Sequence, residues 1–596
     1  MLVKSNDSYL SSRGIQEIVI PFYQMWQELV NEKTLDVYQY RVLNSLNALK
    51  EMSEVLKKTI NGLFNSEANI EACRDEVLHI LKSDLLMEKH YKAIHNRMRY
   101  AIGKKPKTTA DNNRLFQQIN YAIRELDNNY LRFALQDLKN GIQNKCIEQI
   151  EFFANVVASQ AIYNGWSVKA LAELLRVFTS EQSFDEQWEI FSSTLIAREK
   201  TRFDVLINVP FKKQGAEESV QTIDVLQRMG LELKTYEELL LQFSNIEDIG
   251  KLLKREKKYF VVSVEAFDIY MAAHIAIRSI SEQLNMASFY NLVSAWDLSA
   301  VTILPINFVT KYHKSINASK LYQTYDYIDS SGHIFESTKS IFADSSKAGI
   351  REKLQGSFSY ANISRVSLFQ EEKYMNLWVA LESLARTDMY SDIITNVKDT
   401  VPAAMSLRYI YRIVRNYVED CSRCGVEFDF PNNVIDMKQE TKQKLVRETI
   451  EVFQEETLYN ILLNKCEINT LLKHRTESIH LLLTDVSIAK KKVENHYNRV
   501  KWQIQRLYRI RNEIAHAALQ EKTSLIVYIE HLYDYLSTYI AEIVTCLNEN
   551  KQSNLEEALC SIVDNYEVFI SFAESGQSEY LKENVLKTGI INLVTS

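Results

Sequence analysis

Apolar residues recur every three or four positions through most of this chain. Phe22, Met25/Trp26 and Leu29/Val30 make one stripe, and Val42/Leu43, Leu46 and Leu49 make another. That spacing sets a row of side chains on one face of an α-helix. Residues 1–200 therefore read as helix after helix, a region expected to sense or interact. Gly103-Lys-Lys-Pro-Lys-Thr-Thr-Ala-Asp-Asn-Asn113 interrupts the pattern and reads as a loop. Its three lysines are able to touch phosphate, but a solvated linker is the simpler use of them. Stripes resume at Leu115 and run to about Ala197, with Trp166 and Trp188 expected in cores.

The period changes near residue 201. Phe203-Asp-Val-Leu-Ile-Asn-Val209 is β-branched, ends at Pro210 and reads as a strand. A helix is expected over roughly 217–229, ended by Gly230. Lys258–Val264 reads as a second strand, leading into an amphipathic helix over Glu265–Ile280. Val301–Leu304 and Ile306–Val309 flank Pro305 and suggest a further edge strand. Residues 201–328 are thus a small α/β domain. Residues 329–356 are rich in Ser and Asp and read as a connector, with a turn at Ser330-Ser-Gly332. Residues 357–596 are helical again. The expected fold is mostly α: a helical N-terminal region, a small α/β middle domain and a C-terminal helical bundle.

Composition supports this reading. Only 14 Gly and 6 Pro occur in 596 residues, which favours long helices over hairpins. A hydrophobic content of 46% rules out wholesale disorder. The net charge of −7 is spread along the chain, so any contact with a polyanion must come from a local basic patch. Five of seven cysteines are isolated, which is the usage of a reducing compartment. No apolar signal core opens the sequence, and no run of about 18 apolar residues occurs. A soluble cytoplasmic protein is the expectation. No Gly-rich phosphate loop follows either strand, no Gly-x-Ser-x-Gly elbow occurs, and no Asp/Glu cluster suggests Mg²⁺.

Two helices in the last third carry candidate chemistry. In Glu371–Leu384, Tyr374, Trp378 and Leu381 form an apolar stripe, and Glu382 lies beside it, four residues after Trp378. Glu382 is either a helix-flank carboxylate paired to an arginine or one that orients an active-site arginine. The second helix spans about Ile488 to Ala518. Residues 488–520 hold Lys490, Lys491, Lys492, Arg499, Lys501, Arg506, Arg509 and Arg511 against Glu494 and Glu513, a net charge of +6. Val500, Ile504, Leu507 and Ile514 give it a buried face. A basic face on a packed helix suits phosphate, although charge runs are most often solvated surfaces. Its end reads Arg506-Leu-Tyr-Arg-Ile-Arg511-Asn-Glu-Ile-Ala-His516. Arginine stabilises phosphoryl charge, and histidine moves protons near neutral pH.

The Trp-x-Ala-Leu-Glu helix, followed by Arg-Asn-x-x-x-His on a basic helix, resembles the HEPN superfamily (higher eukaryotes and prokaryotes nucleotide-binding domains). Within it, the pair is similar to the Apea-like group. The resemblance covers about 355–550 and is strongest at 374–385 and 506–517. It implies a helical bundle that forms a homodimer, and a metal-independent endoribonuclease built on Arg-x(4–6)-His. It also implies antiphage defence, abortive infection or toxin activity, with RNA as substrate and no cofactor. The N-terminal region would then receive a phage or host protein trigger. Arg511, Asn512 and His516 would be catalytic, with Glu382, Arg509 and Arg506 in support. A HEPN module that only dimerises and binds RNA or protein is the alternative, and a nucleotide-binding regulator is a third reading.

The bare motif is common. Arg-x4-His also occurs at Arg74…His79 and Arg475…His480. Both lack the following asparagine and the basic helix, and read as solvated helix residues. Five helical residues amount to about 140° of rotation, so Arg511 and His516 do not share a face, whereas Arg509, Asn512 and His516 do. Joint action needs a helix end or distortion near Ala515, or a site shared across a two-fold axis. His516 would take the 2′-hydroxyl proton or protonate the departing 5′-oxygen. Arg511 would stabilise the phosphoryl oxygens, and Asn512 would hold the imidazole or the phosphate.

Cys421-Ser-Arg-Cys424-Gly425 has zinc-like spacing without a second pair nearby. Cys466 and His474 are able to complete a site in principle, but a structural turn with free thiols is the expectation.

Overall fold

The stripe around Trp26 becomes helix α1 (Ile20–Leu29), and this tryptophan is fully buried in the N-terminal core. The Trp26 indole N–H donates to the Leu171 carbonyl at 2.9 Å. Its ring meets Phe191 at 5.2 Å and Phe22 at 5.7 Å. The structure, a computed structural model, describes residues 6–31, 43–62, 67–106, 108–197, 199–208, 224, 226–246, 248–290, 292, 301–307, 312–318, 332–367, 369–430, 433–435, 442–517, 525–548 and 554–594. Most of the helix expected over 217–229 lies outside them.

In the same core α2 (Ser45–Ile60) packs on α3 (Glu67–Lys82) and α4 (Thr109–Asp127), and α1 packs on α5 (Ile147–Asn164). Asn44 caps α2 by accepting from the Asn47 N–H at 2.9 Å. The loop expected over 103–113 is shorter. The preceding helix continues to Gly103, and a Thr108/Asp111 capping box starts α4 at Thr109. Trp188 is buried as expected. Trp166 is only half-buried, and stacks on Phe267 of the middle region at 5.7 Å.

The middle region is a five-stranded sheet in the order β2-β3-β1-β4-β5: β1 (Thr201–Asn208), β2 (Glu232–Lys234), β3 (Tyr259–Ala266), β4 (Thr302–Asn307) and β5 (Ile316–Asn317). Every pairing is antiparallel. Alternation along β1 sends Phe203, Val205 and Ile207 to the face covered by α6 (Ile269–Phe289), and Leu206 to the opposite core. The Pro305 strand is not at an edge, because β5 lies beyond it. Yet β5 pairs only with Thr302 and Ile303, so the ladder does not extend to Pro305 on that side. Asp268 caps α6 and also accepts from the Ser167 N–H at 2.8 Å and hydroxyl at 2.9 Å, tying sheet to N-terminal helices.

The C-terminal bundle begins earlier than composition suggests. Residues 332–356 are not a loose connector: α7 (Gly332–Ala343) and α8 (Ala348–Val366) are helices whose Ile341, Ile350 and Leu354 enter the bundle core. Burial of these few apolar side chains outweighs the Ser/Asp-rich composition. The bundle continues with α9 (Gln370–Ala385), α10 (Ile393–Leu407), α11 (Tyr409–Cys424), α12 (Thr470–Thr484), α13 (Val486–Ala517), α14 (Leu525–Asn548) and α15 (Leu555–Glu574). One short hairpin, Phe428–Phe430 with Asn433–Ile435, interrupts it. Among the described residues, no helix is long and apolar enough to cross a membrane.

Candidate functional site

Helix α13 is held on one side by the bundle. Ala489, Val493, His496, Val500, Ile504 and Leu507 recur at three- and four-residue steps and are buried. Tyr374 on α9 fixes the register near its end, donating its hydroxyl to the Leu507 carbonyl. Burial pushes the Tyr374 phenol well above its ordinary value, so it stays a neutral donor. Trp378, one turn further along α9, sets its ring against Tyr508 at 5.9 Å.

This packing brings Glu382 to Arg511. The Trp378 indole N–H donates to Glu382 Oε2 at 2.9 Å, and the same oxygen lies 4.0 Å from Arg511 Nη2. Arg511 Nη1 donates to Asn512 Oδ1 at 3.1 Å. Arg511 Nε is shielded from solvent and has no hydrogen-bond partner among the described residues. Among the described residues the guanidinium thus has one hydrogen bond, at 3.1 Å, and one long ion pair, at 4.0 Å, for five N–H donors. Its side chain is 27% exposed.

Helix α13 runs unbroken through Ala517, so it neither ends nor distorts at Ala515. The backbone positions of residues 511 and 516 stay about 140° apart around the axis. His516 belongs to this helix by its backbone, and its side chain lies outside the described residues.

Arg506 and Arg509 are placed elsewhere. Arg506 is 4% exposed and grips Glu51 of α2 through Nε, at 3.0 and 2.9 Å from the two carboxylate oxygens. Its Nη2 binds Glu76 of α3, and Arg509 also binds Glu51. Burial pushes the Glu76 carboxyl up, against the downward pull of Arg506. The remaining basic side chains of α13 are largely engaged as well. Lys490 meets Glu574 at 2.9 Å, Lys501 meets Asp399 at 2.8 Å, and Arg499 donates to the Tyr409 hydroxyl at 3.2 Å. The net +6 of this segment is thus not an open basic surface.

The other two motif matches are structural, but not solvated as expected. Arg475 is buried between α1 and α11, donating to Glu28 and, at 3.0 Å, to Asp420. Arg74 is buried beside Asp75. His79 packs on Trp502 at 5.1 Å, and His480 stacks on Tyr459 at 3.7 Å.

Cys421 and Cys424 lie buried in the last turn of α11, which Gly425 closes in the left-handed region at φ 79°. Burial drives the Cys421 thiol well up, as expected for a structural group. Cys466 is buried beside Tyr417, whose hydroxyl is 3.4 Å from its sulfur. His474 instead lines a cavity of about 330 Å³ between α1, α5, α12 and α13. No group of three or more His, Cys, Asp or Glu among the described residues is arranged to hold a metal.

Glu51 and Glu76 carry no motif, and lie 455 and 430 residues from Arg506 in sequence. Only the fold brings them to α13. No family model, curated protein or solved structure matches this chain.

Proposed function

We propose that the end of α13 is half of a metal-independent endoribonuclease site. The observation that carries this reading is Arg511: a partly exposed guanidinium with unused donors, held beside Glu382 at a helix end. A fork of this kind suits the equatorial oxygens of a phosphoryl group, where charge grows in the transition state.

The ribose 2′-oxygen attacks the adjacent phosphorus, and its proton passes to an imidazole. The bond to the 5′-oxygen breaks, and that oxygen takes a proton. The products are a 2′,3′-cyclic phosphate and a 5′-hydroxyl. His516 is assigned the proton transfers, Arg511 the phosphoryl charge and Asn512 the hydrogen bond that orients one of them. Base and acid act on opposite sides of the phosphorus, and residues 511 and 516 face different ways on an unbroken helix. Two copies of α13 across a homodimer axis satisfy both requirements. Dependence on the 2′-hydroxyl makes RNA the substrate. In the cell such an activity is a toxin or an antiphage effector, triggered through the N-terminal region.

A module that binds without cutting is favoured by one fact, the pairing of Lys501, Arg506 and Arg509 of the basic helix with internal carboxylates. Arg511→Ala and His516→Ala separate the two readings: each abolishes cleavage of single-stranded RNA if the site is catalytic, and neither affects a binding module's lack of turnover.

A further inference from the structure

The segment 502–513 of α13 is covered by the hairpin of α2 and α3. Trp502 meets His79, and Gln505 donates to Asn69 at 2.7 Å. Arg506 and Arg509 take Glu51 and Glu76, and Glu513 takes Lys58. These contacts come from the N-terminal unit, and they are polar. Arg506 Nε sits against both oxygens of Glu51, as an arginine sits against a phosphate. Buried ion pairs give little net stability over apolar packing, because desolvation offsets their attraction. Polar contact between parts of one chain is also the kind that opens most readily. A polyanion is able to replace the two carboxylates ion for ion. Arg511 turns away from this clasp toward Glu382 of α9, and its Nε has no hydrogen-bond partner among the described residues.

We infer that Glu51 and Glu76 stand in for RNA phosphates on α13, so that the α2–α3 hairpin masks this helix until it is displaced. This rests on reading α13 as an RNA site, and it makes the contact autoinhibitory. RNA entry then needs the hairpin to leave, and a trigger acting on the N-terminal unit would have to break this polar patch.

The test is binding of a labelled single-stranded RNA to the full chain, by fluorescence anisotropy across a salt series. The Glu51→Gln/Glu76→Gln variant is expected to bind about tenfold more tightly than wild type. Its plot of log affinity against log salt steepens by about 1.4, since two arginines each release about 0.7 of a counterion. Adding Arg506→Ala and Arg509→Ala abolishes the gain. Lys58→Glu serves as the second variant, because it sets like charge against Glu513 and leaves the buried arginines paired. It is expected to shift affinity the same way by a smaller factor, and to raise amide exchange over 502–513. Unchanged affinity and salt slope in both folded variants overturns the inference. Tighter binding with no cleavage by any variant supports the masking, and removes the ribonuclease reading instead.

Discussion

Glu382 and Arg511 face each other across α9 and α13 with Oε2 and Nη2 4.0 Å apart, and that same oxygen accepts from Trp378 at 2.9 Å. The carboxylate is thus fixed by its own helix, and the arginine is steered by it without being saturated. Glu382→Gln keeps an acceptor for Trp378 but removes the charge facing Arg511. The expected result in steady-state RNA cleavage is a fall in kcat of about tenfold with KM little changed, about 1.4 kcal/mol of transition-state stabilisation. A rise in KM at constant kcat would instead place Glu382 in ground-state binding.

Arg475 links the N-terminal unit to the bundle. It lies between Glu28 and Asp420, all three buried. Arg475→Ala leaves two carboxylates without their shared cation. The cost is expected to be about 3–5 kcal/mol, read as a lower midpoint in denaturant unfolding. A change under about 1 kcal/mol would mean that the triad is not coupled to folding.

Asp420 gives this triad a pH signature. Burial pushes its carboxyl up to about 6, because Arg475 is shared with Glu28 and does not compensate fully. The folded state therefore holds this proton more tightly than the unfolded state does. That contribution to stability is full below about 4 and is lost as pH rises through about 6. Measured against Asp420→Asn, the stability of wild type should fall over this window and level off above it. A difference that rises with pH would contradict the assignment.

Much of this architecture was legible along the chain. The stripes at Phe22–Val30 and Tyr374–Leu381, and the β-branched run Phe203–Val209, became elements within a residue or two of their expected bounds. Local periodicity records which face an element buries, and it recorded these. The approach of Glu382 to Arg511 followed from two such faces packing together. What local pattern does not record is who covers a polar face. Arg506 read as a supporting residue of the site and Arg475 as a solvated helix charge, because their partners lie hundreds of residues away, at Glu51 and Glu28. The same limit hid the helices of residues 332–356, where a few apolar side chains, among them Ile341, Ile350 and Leu354, tie a polar stretch to the bundle.

The central claim is that the end of α13 cuts RNA through the 2′-hydroxyl. Mass spectrometry of RNA ends after incubation with the full chain in excess EDTA tests it most directly. Wild type is expected to leave 2′,3′-cyclic phosphate and 5′-hydroxyl ends, and Arg511→Ala and His516→Ala to leave the RNA intact. Ends bearing 3′-hydroxyl and 5′-phosphate, or equal cleavage by the two variants, would contradict the account.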